Sequence, residues 1–384
     1  MSLGFALVVS AALTGALELS DRSELRLRSS GDAAGAVLDV ETAPAATLWM
    51  RARRARFSLA YAPRFTLRQI DVAPAPEAFH HGTASLTVTG TRSELIAEGD
   101  LAYGRTTFTS LYTIQAIDPA RLSVERIPAP STIAYLSSRA SLSMSYALSS
   151  RLTIRGQAEH LSSGGADANA RAVIPSQAGP HGRAELHYAL SRMDALSSTI
   201  DMARTLFSTD RDNVVSELRE DWRHVFSRRT SMTLGAGASL VMSRASSEAT
   251  WTSRPYATAD AMLAHRAPSP RIEAALTLRF SPVVDRLTGL VDPRIQGAAA
   301  LTWTFTPSVD LRTQFGAAQS VQWNEAGATR VVLGEAAIAI RATRTSRIEL
   351  GTRVASQFMQ GAGAAPAQWM MFTGATFALP RLRF

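Results

Sequence analysis

The stretch Ser141–Leu161, SLSMSYALSSRLTIRGQAEHL, decides how this chain is read. Leu142, Met144, Tyr146 and Leu148 take every second position, with Ser141, Ser143, Ser145 and Ala147 between them. After a break at Ser149 the alternation resumes, with Leu152, Ile154, Gly156 and Ala158 against Arg151, Thr153, Arg155, Gln157 and Glu159. Period two marks a strand whose two faces meet different surroundings. The segments, 138–148 and 150–161, are about twice the ~5–6 residues of a soluble strand. They match the ~9–11 residues that a tilted transmembrane strand needs. Length, more than pattern, separates a membrane barrel from a soluble sandwich.

The same signature recurs from end to end. RIEAALTLRFS (271–281) and SRIELGTRVASQF (346–358) alternate in the same way. Eighteen such segments fit in the chain, and sixteen is the next even count. Short turns (Arg54–Ala55, Thr91–Arg92, Ser149, Arg192–Met193, Ser227–Arg229, Pro307–Ser308) alternate with long, Gly- and Pro-rich connections at 29–45, 73–82, 109–137 and 162–182. Short turns at one end and long loops at the other are the habit of outer-membrane barrels, and an even strand number puts both termini at the short-turn end. The fold class expected is all-β: a transmembrane, antiparallel, up-and-down β-barrel over 17–384. Tyr146, Tyr188, Phe226 and Phe305 precede short turns, while Phe207, Phe280, Trp323 and Phe358 sit at the opposite strand ends. Two aromatic girdles are expected where the barrel meets the two interfaces.

Composition narrows the classes. Mean hydropathy is +0.00, and no apolar run reaches the ~20 residues of a membrane helix. The longest apolar stretch, LGFALVVSAALTGA, has the size of a signal-peptide core, and Thr14, Gly15 and Ala16 suit a cleavage site, so 1–16 is read as a signal peptide. There is no cysteine, so an exported chain gains nothing from disulfides. The net charge of +8 comes from 40 basic residues, all arginine. They are spread singly along the chain, which argues against a nucleic-acid partner.

Catalytic signals are absent. No Gly-x-Ser-x-Gly elbow stands between a strand and a helix, and no His-Glu-x-x-His occurs. Asp210, Asp212 and Asn213 could present oxygens to calcium, but a solvated loop tip is the simpler reading. No enzyme activity, cofactor or metal is expected.

The remaining chemistry lies on the polar face. Candidate lumen-lining residues are Arg51, Arg53, Arg64, Arg151, Arg155, Glu159, Glu217, Arg219, Asp221, Arg223, Arg279, Arg312 and Arg353, together with Arg26 and Arg28. The bland reading is a polar wall braced by ion pairs. The functional one is an Arg-biased channel for anionic or polyhydroxylated solutes. The long segment 109–137 is apolar enough to fold inward as a constriction.

The whole chain after residue 17 resembles a bacterial outer-membrane β-barrel. MMFTGATFALPRLRF at the C-terminus, with Gly374, Phe377, Leu379 and Phe384, resembles the signal that hands such barrels to their insertion machinery. It departs from that pattern at Phe372, where a polar residue is usual, and at Pro380, beyond which strand pairing should weaken. The strand count, the YALS-R hairpins and ELREDWRHVFSRR are similar to those of myxobacterial-type barrels paired with periplasmic polysaccharide-export (OPX) proteins. This resemblance implies polysaccharide export, contact with outer-membrane lipid and lipopolysaccharide, and an OPX partner. A general diffusion porin and a structural or adhesive barrel with a plugged lumen stay open as alternatives.

Overall fold

The computed structural model describes residues 14–29, 36–68, 77–108, 131–268, 271–322, 328–360, 363–364 and 367–383. They form β1 (Thr14–Ser29), β2 (Ala36–Arg51), β3 (Ala55–Tyr61), β4 (Arg64–Arg68), β5 (Glu77–Thr89), β6 (Ser93–Phe108), β7 (Ser131–Ala147) and β8 (Leu152–Gly165). A short helix α1 (Ala168–Val173) precedes β9 (Gln177–Ala189), β10 (Asp194–Phe207), β11 (Asp212–Ser227), β12 (Thr230–Arg244), β13 (Thr252–Pro268) and β14 (Arg271–Val284). The chain continues with β15 (Val291–Thr306), β16 (Val309–Ser320), β17 (Thr329–Arg341), β18 (Ser346–Met359), β19 (Gly363–Ala364), β20 (Gln368–Ala378) and β21 (Leu382–Arg383).

Neighbours in sequence pair antiparallel all the way round, and the ring closes. One side of β1 faces β2, from Thr14↔Arg51 to Ser29↔Ala36. The other side faces β20, from Ser20↔Ala378 to Arg28↔Met370, and β20 in turn pairs with β18. Closure leaves no edge strand, which a membrane demands because lipid offers no hydrogen bonds to an open edge. β3 and β4 make one stave, since both pair with β2 and with β5 in unbroken register. Their interruption falls at Ala62 and Pro63, and proline has no N–H for the ladder. β19 and β21 are two-residue extensions. The described residues thus make a closed barrel of eighteen staves. Among the described residues no helix is long and apolar enough to cross a membrane.

On each stave the two alternate sets of side chains separate. Leu142, Met144, Tyr146, Ile154, Leu186, Ile200, Leu218, Leu276, Leu278 and Leu350 are exposed on the outer face. Among the described residues nothing covers them, as suits a face turned to lipid. Tyr146, Tyr188, Phe226 and Phe305 are exposed in the same rows beside the short turns. At the long-loop end Phe358 is exposed on the outer face. Phe207 departs from the expected girdle. It lies on the odd, inner row of β10 and is buried at the barrel mouth. Trp323 lies outside the described residues.

Strands run further than the sequence indicates. The connection read at 29–45 is mostly stave, because β2 begins at Ala36. Likewise β5 begins at Glu77, inside the loop read at 73–82, and β7 takes up 131–137 of the segment read at 109–137. The connection read at 162–182 holds the end of β8, α1 and the start of β9. Backbone pairing with neighbours continues past the point where an apolar outer row is needed, so the alternation fades before the strand does. The C-terminal break falls where proline dictates. β20 stops at Ala378, Leu379 N–H still donates to Leu19 O at 2.8 Å, and pairing returns only at Leu382 and Arg383, opposite Leu17 and Ala16.

Candidate channel interior and mouth

The inner face is not one surface but two. On the long-loop half of β1 and β2, and on β17, β18 and β20 beside them, the inner wall is packed like a core. Register places Glu24, Arg26 and Arg28 of β1 between Asp39 and Glu41 of β2 and Gly374, Phe372 and Met370 of β20. Arg26 is 1% exposed. Its guanidinium donates to Glu24 Oε1 at 2.6 Å and forks onto both carboxylate oxygens of Glu41 at 2.7 Å. Arg28 Nε meets Asp39 Oδ2 at 2.6 Å, and Thr66 Oγ1 and Arg64 add further contacts to Glu41 at 3.3 and 3.6 Å. Arg353 is 2% exposed. It pairs with Glu335 at 2.7 Å and lies 4.4 Å over the Phe372 ring. Beside these ions Ala298, Ala318, Val331, Leu333, Ala337, Ala355, Met370 and Phe372 form one buried apolar cluster. Ions in such a place must be paired, because the cost of stripping water from each is several kcal/mol.

Across the barrel the inner face of β6 to β14 forms a more open wall. Here the ion pairs are staggered and their arginine side chains are 16–54% exposed, while small residues between them such as Thr199, Ser239 and Thr258 are buried. Arg139 meets Glu159 at 2.6 Å, and Glu185 accepts from Arg155 at 3.0 Å and Arg183 at 3.4 Å. Arg219 lies 3.0 Å from Asp221, 3.5 Å from Asp260 and 3.9 Å from Glu217, and Glu217 also sits 3.5 Å from Arg279. The Arg155 side chain is 54% exposed despite its partner. A cavity of about 440 Å³ opens on this wall between Glu94, Ile96, Ser143, Arg155, Gln157, Arg183 and Glu185.

The residues singled out by sequence distribute between these regions. Arg155, Glu159, Glu217, Arg219, Asp221, Arg223 and Arg279 share the inner rows of the open wall. Arg64 and Arg353 belong to the packed wall. Arg312 faces Thr302 and Ala337 towards the short turns. Arg51 ends β2, whereas Arg53 and Arg151 lie in short turns outside the staves. Phe377 and Leu379 are exposed on the outside, Gly374 sits opposite Glu24 and Glu349, and Phe384 lies outside the described residues. Phe372, out of place in a lipid-facing signal, is explained by its inward position under Arg353.

The long-loop mouth holds a feature that sequence gave no sign of. The link Asp285–Leu290, between β14 and β15, reaches across to staves on the far side. Arg286 donates to Tyr135 Oη of β7 and, at 3.5 Å, to Ser163 Oγ of β8. Leu287 packs on Ile133, Ala170 and Ile174, so it also contacts α1. Asn213 of β11 donates its amide to Gly289 O at 3.0 Å. Gly289 has φ +66, a left-handed conformation that glycine adopts without strain. The strap is internally braced. Asp285 Oδ1 accepts from Leu287 N, Thr288 N and Thr288 Oγ1, and Oδ2 accepts from the buried Arg294 at 3.0 Å. Of the segment expected to constrict the lumen, 109–137, residues 131–137 belong to the stave β7, and 109–130 lie outside the described residues. Among those described, Asp285–Leu290 spans the mouth. Asp212, considered above for calcium, instead accepts from Arg204 and Arg244 at 2.8 and 3.0 Å.

A closed, edge-free barrel with an apolar outside, a charged inside and a strapped mouth defines an outer-membrane channel barrel. The particular family follows from comparison. The model of the EpsX exopolysaccharide export family matches residues 6–378, and the chain belongs to that family. Among solved structures, OpdL of Pseudomonas aeruginosa superposes with a TM-score of 0.50 at 10% identity, over 97% of this chain and 99% of that one. OccAB2 of Acinetobacter baumannii gives 0.51 at 10% identity, over 95% and 98%. The FrpB iron transporter of Neisseria meningitidis gives 0.53 at 8% identity, over 89% of this chain and 63% of its own length. At such identities the likeness is one of fold. A search of the curated proteins finds no match.

Proposed function

We propose that this barrel carries an exopolysaccharide through the outer membrane, along the open wall of β6 to β14. The observation that supports this best is the family match over residues 6–378 of a chain that folds as a closed barrel. The wall suits the cargo. Hydrated carboxylates and guanidinia exchange hydrogen bonds readily with hydroxyls, and mixed signs avoid trapping a polymer by charge. The lumen-facing set on this path is Arg155, Glu159, Glu217, Arg219, Asp221, Arg223 and Arg279. In this reading both termini lie in the periplasm and the strapped mouth faces outward. A periplasmic polysaccharide-export protein would deliver polymer at the short-turn end, and lipid and lipopolysaccharide would surround the staves. Leader removal over 1–16 would take Thr14, Gly15 and Ala16 from β1, which N-terminal sequencing of the mature protein would detect.

A strain deleted for the gene should keep its polysaccharide inside the cell and lose it from the surface. Unchanged surface polysaccharide would remove the export reading and leave a general porin, the alternative favoured by the mixed-charge wall. Epitope tags within 162–181 should label on intact cells and tags at 191–194 should not. The opposite pattern would invert the topology.

A further inference from the structure

Trp49 stands apart from every other aromatic side chain on the staves. The β2 register is unbroken on both sides, so its alternation is unambiguous. Leu38 and Val40 are exposed on the outer face, while Asp39, at 0% exposure, and Glu41 are buried inside. Trp49 shares the inner row with Asp39 and Glu41, yet is 47% exposed. The other exposed aromatics on the described staves lie on the outer face, where lipid covers them. Trp49 therefore leaves a large indole surface uncovered on the inner face, against the usual drive to bury it.

Its neighbours explain why it stays bare. The residues directly opposite are Ala16 on β1, which leader removal would take away, and Ser58 on β3. Paired side chains on one face start ~4.5–5.5 Å apart, and these two are too short to cover an indole. Arg51 follows on the same inner row, opposite Arg56, and both are exposed. Ser58 Oγ is 3.4 Å from Ser85 Oγ, which continues the hydroxyl row onto β5. An uncovered aromatic face is thus bordered by hydroxyls on one side and two guanidinia towards the short-turn mouth.

We propose that Trp49 is a stacking platform for a pyranose ring at the short-turn mouth, with Arg51 and Arg56 receiving a carboxylate borne by the sugar. This rests on the export reading and names the subsite where polymer would enter. A pyranose has an apolar C–H face and a polar rim. The C–H face meets the electron-rich indole face, the rim meets Ser58, and a planar guanidinium suits a carboxylate. Stacking registers a flat ring without reading its linkage, so a polymer can slide from unit to unit.

The test uses the purified full chain in detergent and in planar bilayers, with oligogalacturonate, cello-oligosaccharide of equal length and polyethylene glycol of equal size as probes. Wild type should bind both sugars, seen as a change in tryptophan emission and as brief current blocks, with oligogalacturonate binding more tightly. Trp49→Ala should weaken both sugars about tenfold, which corresponds to ~1.4 kcal/mol. Trp49→Phe should retain most of the affinity while losing the emission change. Arg51→Gln with Arg56→Gln should remove the preference for the acidic sugar and leave cello-oligosaccharide unaffected. Equal affinity in Trp49→Ala, no sugar binding by wild type, or blocks of equal duration from polyethylene glycol would overturn the proposal. Sugar-dependent emission in a barrel that passes no current would instead preserve the platform and defeat the channel reading. Unheated gel migration confirms that each variant is folded.

Discussion

Arg26 and Arg155 are both arginines on inner rows of the same barrel, both paired with glutamates, and they do different work. Arg26 is held by Glu24 and Glu41 in a wall where it is 1% exposed. Arg155 leans on Glu185 and remains mostly hydrated. Identical residue types on identical staves become core on one side and lining on the other. One part of the inner wall is thus packed like a protein interior and another is more exposed, with the strap Asp285–Leu290 reaching from β14 and β15 to β7, β8 and β11.

The largest expected effect is at the packed wall. Arg26→Ala would leave two buried carboxylates without their partner and should cost about 3–5 kcal/mol, the usual penalty for breaking a buried pair. Arg155→Ala should cost at most about 1 kcal/mol, as exposed pairs do. Urea unfolding in detergent, read by the gel shift between folded and unfolded barrel, compares the two. Equal losses would erase the distinction between the walls. Phe372→Ala comes next. Removing a buried aromatic usually costs about 3–5 kcal/mol, and here it also strips the ring from beneath Arg353. A loss under about 1 kcal/mol would mean that Phe372 is not packed.

The strap should affect conduction more than stability. Arg286→Ala combined with Leu287→Ser removes its contacts with Tyr135, Ser163 and the apolar spot formed by Ile133, Ala170 and Ile174. Single-channel conductance should rise and fluctuate more, while stability changes by about 1 kcal/mol or less, as is usual for loop substitutions. Unaltered conductance would show that the strap does not narrow the path. The smallest effect is on ion selectivity. Arg155→Gln with Arg183→Gln should shift reversal potentials towards cations, and the shift should fade in 1 M salt, where the Debye length is about 3 Å. A shift that persists at that salt would contradict a hydrated wall.

The fold was largely legible because lipid imposes a pattern. Leu142, Met144 and Tyr146 must alternate with polar residues if one face meets hydrocarbon, and the number of such runs yields the eighteen staves. Where lipid no longer constrains the chain, legibility failed. Glu77, Phe79 and His81 of β5 face inward opposite Gly104, Ala102 and their row, while Ala78 and His80 supply only a weak outer row, so the strand read as loop. On β2, Pro44 lies opposite Asp21 in mid-stave, and its neighbours Ala43 and Ala45 gave a composition like that of a connection. The interior was half legible. Charged and polar residues at alternate positions, such as Arg155, Gln157 and Glu159, marked the inner row of their stave, because charge is costly on the lipid face. The packed wall was hidden because Val331, Val332 and Leu333 are apolar on both faces, which erases the alternation. The strap was hidden because only the folded ring brings Arg286 to Tyr135.

The absence of cysteine makes the central claim directly testable. A single cysteine placed at Ser143 or Gln157 on the open wall, or at Leu333 or Ala355 on the packed wall, would be the only thiol in the protein. Each variant can be inserted in a planar bilayer and exposed to a charged methanethiosulfonate reagent while current is recorded. Thiols at 143 and 157 should react quickly and step the current down, whereas those at 333 and 355 should stay unmodified while the current holds. Rapid modification with current loss at 333 and 355, and silence at 143 and 157, would place the conduit along the wrong wall.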